Sequence, residues 1–188
     1  MRHHPLDGIE REHITITDID VLPLSYVETG GSLWRTGGYE VWKTDGAITR
    51  IFTDQGIVGI GEGSPYEGPD YIKEYTEGTI KPLLVGKNPF DVEFLTNRGN
   101  DSRRHRAPWA GVDNACWDVI GKAKGTPVFR LLATDCEPVT RIPIYASGGV
   151  EHEWYRNGEQ FLIEEALRYK EEGYDAFKFR CGTDWAHG

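Results

Sequence analysis

The sequence predicts an α+β fold: an antiparallel meander of strands, then several helices, and after about residue 141 a βαβ unit. Three observations predict it. Runs rich in β-branched residues come first, at 14–24, 40–53 and 57–61. Stretches with helical spacing follow, from Pro69 to about residue 132. A strand, a helix and a strand then succeed one another between residues 142 and 180. Strands followed by helices is the α+β order, and the last succession makes a βαβ unit.

Residues 14–24, ITITDIDVLPL, alternate apolar and polar, the mark of a half-buried strand. A loop rich in Gly, Ser and Thr covers 25–38. The strands at 40–53 and 57–61 are joined by Asp54, Gln55 and Gly56, a short glycine-bearing hairpin turn. Pro69 suits the first turn of a helix that runs towards Ile80. Asn88 caps, and Pro89 begins, a second helix over about 90–96. The strongest helical pattern covers 108–124. Val112, Ala115, Cys116, Val119, Ile120 and Ala123 share one face there, and Gly125 ends it. Pro127 starts a further short turn. Residues 142–146, Ile-Pro-Ile-Tyr-Ala, read as a strand buried on both faces. A helix over 158–172 carries Leu162, Ile163, Ala166 and Leu167 and stops at Gly173. Residues 176–180, Ala-Phe-Lys-Phe-Arg, read as another strand.

The chain's 188 residues suffice for one domain, or one domain and part of another. Hydrophobic residues at 38% and aromatics at 12% argue for a packed core rather than disorder. The net charge of −9 would be repelled by a phosphate backbone, which argues against nucleic acid as a partner class. The one basic run, Arg103-Arg104-His105-Arg106, reads as solvated. No apolar run approaches a membrane span. The polar opening residues 1–12 lack the apolar stretch of a secretory signal, and 1–13 read as a disordered or tail-like segment. Three cysteines, Cys116, Cys136 and Cys181, and six histidines show no metal-binding spacing. The odd cysteine count suits a reducing cytoplasm.

Lys178 and Arg180 stand two apart on a strand, so they share a face, while Phe177 and Phe179 take the other. In a parallel barrel the phenylalanines would meet the helix layer. The two cations would then point inward at the C-terminal end of the strand, where barrel active sites sit. Taken alone, the pair reads equally as solvated charge on a surface strand.

Five motifs in order change that balance. They are the hairpin at 48–62, the turn Leu84-Val85-Gly86-Lys87-Asn88-Pro89-Phe90, and the helix GVDNACWDVIGKAKG at 111–125. Leu131-Leu132 with 142–147 and Lys178-Phe179-Arg180 complete the set. Together they resemble the enolase superfamily in its mandelate racemase / muconate-lactonizing branch, over about residues 14–182. The resemblance implies an N-terminal capping domain at 14–140. It makes 141–188 the first βαβ unit of an incomplete (β/α) TIM-type barrel, truncated before later strands. It also implies Mg²⁺, a small carboxylate substrate, and removal of the proton α to the carboxylate to give an enediolate.

Lys178 falls on the first position of the family's Lys-x-Lys pair. Arg180 takes the second, and a guanidinium that stays protonated suits charge stabilisation better than proton abstraction. The family's metal carboxylates belong to later strands, so no metal ligand is expected in this chain. Two cap loops close over the substrate in the family, which makes Trp34, Arg35 and Tyr66 candidate substrate contacts. Glu62 stands beside the second of those loops, whereas Asp113, Trp117 and Asp118 read as packing residues. The expected activity is dehydration of a sugar acid, by a protein that is homo-oligomeric when complete. Racemase or cycloisomerase activity is the alternative within the superfamily. A non-catalytic fragment or assembly module is the alternative outside it, because the metal-ligand strands are absent.

Overall fold

The computed structural model describes residues 5–7, 9–29, 34–35, 40–63, 67–91, 102–133, 136–149 and 158–179. Contacts divide the chain into two compact units, one of residues 1–25 and 45–138, the other of 26–44 and 139–188.

The first unit holds most of a three-stranded sheet in the order β1 (Ile16–Val27), β4 (Lys43–Thr53), β5 (Val58–Gly63); residues 26–27 and 43–44 of its strands are assigned to the second. Strands β4 and β5 pair antiparallel, with Thr49 opposite Gly61 and Ile51 opposite Gly59. The turn between them is the expected Asp54-Gln55-Gly56. Gly56 has φ +72°, and the Thr53 hydroxyl donates to the Ile57 carbonyl at 2.8 Å.

Strand β1 runs antiparallel to β4. The Glu28 amide donates to the Trp42 carbonyl at 2.9 Å, and the Asp54 amide to the Thr15 carbonyl at 3.0 Å. Arg50 reaches Asp20 between these points at 2.8 Å. From Thr15 to Asp20 the chain advances one residue further than from Arg50 to Asp54. The buried positions shift phase at the same place, from Ile16 to Ile19 and Val21. One extra residue in β1 accounts for both, as in a β-bulge. Beyond the bulge the outer edge of β1 is blunted: the Val21 amide donates to Glu77 at 3.0 Å, and Pro23 has no amide to offer.

Glycine decides how the helices dock on this sheet. A side chain on Gly59 would come within 2.2 Å of the Ala115 carbonyl oxygen, and one on Gly61 within 2.1 Å of the Gly111 oxygen. Helix α3 (Arg103–Ala123) therefore lies directly on the backbone of β5. Its buried face carries Val112, Ala115, Cys116, Val119 and Ile120, which join Ile16, Ile19 and Ile51 in the main core. Each fully buried aliphatic side chain of this kind contributes about 1.5–3 kcal/mol. Gly125, at φ +56°, ends the helical run, and α4 (Val128–Leu132) follows Pro127.

Helix α3 starts earlier than expected from Pro108, which sits inside it. Proline there removes one helical hydrogen bond, and the buried Ala107 holds the turn against the smaller cluster of Val21, Ala47 and Ile72. The helix begun by Pro69, α1 (Pro69–Tyr75), continues through a π turn (Thr76–Ile80) into α2 (Lys81–Leu84). Ile72, Thr76, Ile80 and Leu84 are all buried at a spacing of four. A straight α-helix would rotate such a row away from the core, and the wider π turn takes up the difference.

Part of the opening segment is tied down rather than tail-like. Leu6 lies in the main core, the Glu12 carbonyl accepts from Asn88 at 2.7 Å, and the Glu12 carboxylate meets Lys124 at 2.7 Å. Asn88 Oδ1 accepts from the Phe90 amide at 2.9 Å, but residues 89–90 form a turn rather than the start of the expected helix. Positions 92–96 of the helix expected at about 90–96 lie outside the described residues.

In the second unit, β2 (Trp34–Arg35) and β3 (Glu40–Val41) form a short antiparallel ladder. Trp34 and Arg35, expected in a loop, are thus paired strand residues. Strand β6 (Ala146–Ser147), helix α5 (Gln160–Glu171) and strand β7 (Phe177–Lys178) make a βαβ unit whose strands pair parallel. Its strands are shorter than expected. Ile142 and Ile144, read as buried on both faces, are 75% and 69% exposed. A parallel strand is covered on both faces only where neighbouring strands and helices surround it, and the described residues supply β7 alone beside β6.

Candidate functional site

The parallel pair β6 and β7 is in register Ala146 opposite Phe177 and Ser147 opposite Lys178. The Ala146 amide donates to the Ala176 carbonyl at 3.0 Å, and the Gly148 amide to the Lys178 carbonyl at 3.1 Å. Both strands thus end at one rim, where Gly148, Gly149, Lys178 and Phe179 meet. The Phe177 ring lies 5.4 Å from Tyr169 of α5 and 5.9 Å from Phe179. The two phenylalanines therefore take the helix side, and the pleat sends Lys178 to the opposite, exposed side.

Helix α5 presents Leu162, Glu165, Ala166 and Tyr169 inward, at helical spacing. Ile163 and Leu167, expected on the apolar face, are 46% and 54% exposed. The buried acid Glu165 was not singled out by the sequence. Its carboxylate accepts a hydrogen bond from the Gly149 amide at 2.9 Å. The paired glycines 148 and 149 after a short strand were the available signal. A side chain at Gly148 would meet Glu165 Oε1 at 2.1 Å, and Gly149 has φ +77° beneath Phe179 and Leu162.

Among the sequence candidates, Trp34, Arg35 and Lys178 fall within one compact unit, which joins 26–44 to 139–188. Arg180 and Tyr66 lie outside the described residues. Glu62 is exposed, and Cys116 is buried in the core as expected. Asp118 packs as a structural residue should: it accepts the Ile60 amide at 2.8 Å, and its neighbour Lys122 donates to the Val58 carbonyl at 2.7 Å. The pair satisfies the outer edge of β5.

A cavity of about 570 Å³, lined by Pro143, Ile144, Tyr145 and the turn Glu172–Ala176, opens at the opposite, N-terminal ends of β6 and β7. Barrel chemistry belongs to the C-terminal end, so that cavity is not the candidate site. Among the described residues, no three His, Cys, Asp or Glu side chains gather closely enough to hold a metal ion. The described residues therefore do not fit the Mg²⁺ that the resemblance implies. No helix among them is long and apolar enough to cross a membrane.

A three-stranded antiparallel sheet under helices, followed by a parallel βαβ unit, defines an enolase-type capping domain with the beginning of a barrel. The chain belongs to the mandelate racemase / muconate lactonizing enzyme family: residues 40–133, half of its length, match that family's N-terminal domain. It is 30% identical over 178 residues to cis-3-hydroxy-L-proline dehydratase of Roseibium aggregatum, covering 90% of this chain and 46% of that protein. It is 33% identical over 149 residues to D-xylonate dehydratase of Haloferax volcanii, covering 74% of this chain and 34% of that protein. A crystal structure of an enolase-superfamily member from Polaromonas sp. JS666 superposes with a TM-score of 0.72 at 34% identity, covering 89% of this chain and 44% of that one. Other similar proteins are named as a racemase and an epimerase. The chain spans less than half the length of these relatives.

Proposed function

We propose that the chain supplies the capping domain, at 14–140, and the first barrel strands, at 141–188, of an enzyme that removes a proton α to a carboxylate. Dehydration of a sugar acid is the reaction we favour. The observation that carries this reading is the placement of Lys178. It stands at the end of a strand paired in parallel, on the side opposite the Phe177–Phe179 stack that faces α5. In a barrel that side faces the interior.

Enolase-superfamily sites use a Lys or His base beside Mg²⁺ that stabilises the enediolate. The described residues offer no ligand set for the metal, and this chain's share of the chemistry rests on the β7 end. Lys178 is assigned proton transfer at the α-carbon, because an amine can be both base and acid. Arg180 is assigned the substrate carboxylate or the charge developing on it. Trp34, Arg35 and Tyr66 are assigned to the loops that close over the substrate and select it. The similarity to D-xylonate dehydratase supports an aldonate as substrate. The further assignments are a homo-oligomer in a reducing cytoplasm.

Racemisation or epimerisation is the second reading, supported by the racemase and epimerase among the similar proteins. The full-length protein with Mg²⁺ and D-xylonate in D₂O tests both, by NMR. Dehydration gives a 2-keto-3-deoxy acid. Racemisation or epimerisation gives deuterium at the α-carbon without loss of water. The absence of both products across a panel of aldonates and N-acyl amino acids would contradict the proposal.

A further inference from the structure

Glu165 is a buried acid that the proposed chemistry does not use. It is 7% exposed, on the inner face of a helix whose isoleucine and leucine at 163 and 167 are left outside. Its carboxylate accepts the Gly149 amide at 2.9 Å. The preceding amide, Gly148, donates to the Lys178 carbonyl at 3.1 Å. Two successive amides are thus held from two sides, one by the backbone of Lys178 and one by Glu165. A side chain at Gly149 is strained by the backbone, and one at Gly148 would displace the Glu165 carboxylate. A Gly148 side chain would strike Glu165 Oε1 at 2.1 Å, and one on Gly149 would strike Phe179 Cβ at 2.9 Å, at a φ of +77° that other residues rarely adopt. Gly149 thus limits the shape of the turn that closes this clamp, and the residue at its far side is Lys178.

We propose that Glu165 is a positioning residue for Lys178: it fixes the Gly148-Gly149 turn, and the turn's amide fixes the backbone from which Lys178 projects. The assignment of proton transfer to Lys178 rests on the function proposed above, whereas the clamp itself does not. A carboxylate suits this role because it accepts from a backbone amide more strongly than a neutral oxygen does. Its burial keeps water from competing for that amide. A displacement of about 1 Å at a reacting group is enough to cost about a hundredfold in rate, so a clamp at this point has consequences for turnover.

Amide exchange and carbonyl shifts, read by NMR on the full-length protein, test the clamp without any substrate. In Glu165→Ala, exchange at Gly148 and Gly149 should rise about tenfold or more while Val119 in the core of α3 is unchanged. The ¹³C shift of the Lys178 carbonyl should move as well. Glu165→Gln keeps an acceptor oxygen and should restore the Lys178 shift and most of the protection. Unchanged exchange in Glu165→Ala, or a Gln variant no better than Ala, overturns the clamp.

Turnover of the full-length protein tests the coupling to Lys178. Glu165→Ala should lower kcat by about tenfold to a hundredfold with KM nearly unchanged, and should add no further loss in a Lys178→Ala background. Equal losses in both backgrounds overturn the positioning role. If Lys178→Ala alone leaves turnover intact, the assignment of Lys178 fails, and the exchange data still decide on Glu165.

Discussion

Ile51 and Ile144 are the same residue in strand-like sequence, yet Ile51 is fully buried and Ile144 is 69% exposed. The difference lies in what meets them. Ile51 sits opposite Gly59, whose missing side chain lets α3 approach the sheet backbone and cover both. Ile144 lies just ahead of β6, with β7 as its one described neighbouring strand. The first unit has a second layer and hence a core. In the second unit, helix α5 covers only the side of β6 and β7 that carries Phe177 and Phe179. Stability belongs to the first region, while Lys178 and Arg180, the two residues proposed to act on the reacting group, belong to the second. That division fits a fold in which function is carried by residues grafted on a packed scaffold.

The comparison is broken or sharpened first by paired truncations. Ile51→Ala should cost about 2–5 kcal/mol through the cavity it leaves. Ile144→Ala should change stability by less than about 0.5 kcal/mol. Chemical denaturation of the two variants checks this, and similar losses would dissolve the contrast.

Gly61→Ala comes next. A side chain 2.1 Å from the Gly111 oxygen forces α3 off β5, at a cost of about 3 kcal/mol. The transition followed by tryptophan fluorescence should shift accordingly.

Asp118→Ala is smaller. It removes the acceptor of the Ile60 amide and the partner of Lys122, at about 1 kcal/mol. Thermal unfolding should fall by about 2–4 °C.

The smallest effect is ionic. The Lys81 ammonium donates to the Asp18 carboxylate and holds its pKa below the ordinary 3.8. A lowered carboxyl pKa stabilises the fold above pH 3.8, and the stabilisation is lost as pH falls through the lowered value. The two side chains are 35% and 50% exposed. Solvent screening therefore keeps the contribution below about 0.5 kcal/mol. Asp18→Asn should show that small deficit at neutral pH, with the gap closing in acid and in high salt.

The sequence made local and periodic features legible. The 54–56 turn, the inward face of α3, the stop at Gly125 and the alternation around Lys178 all depend on neighbours within a few residues. Features that depend on distant partners were not legible. Gly59 and Gly61 read as ordinary strand residues until α3 is laid across them. The shift of phase within β1 shows only when β4 sets the register. Pro108 suggested a helix start, but packing of Ala107 carries α3 back to Arg103. At the site, Lys178 was visible through its two-residue period. Glu165 was hidden because an acid on a helix is ordinarily solvated, and its partner is a backbone amide sixteen residues earlier.

The most direct measurement of the central claim is the turnover of Lys178→Ala in the folded, full-length protein, on an aldonate that the wild-type enzyme dehydrates. If Lys178 transfers the proton, kcat falls by about a hundredfold or more, with the thermal midpoint unchanged because the side chain is exposed. Turnover equal to wild type, in a variant with the same midpoint, would make the end of β7 a structural rim and contradict the account.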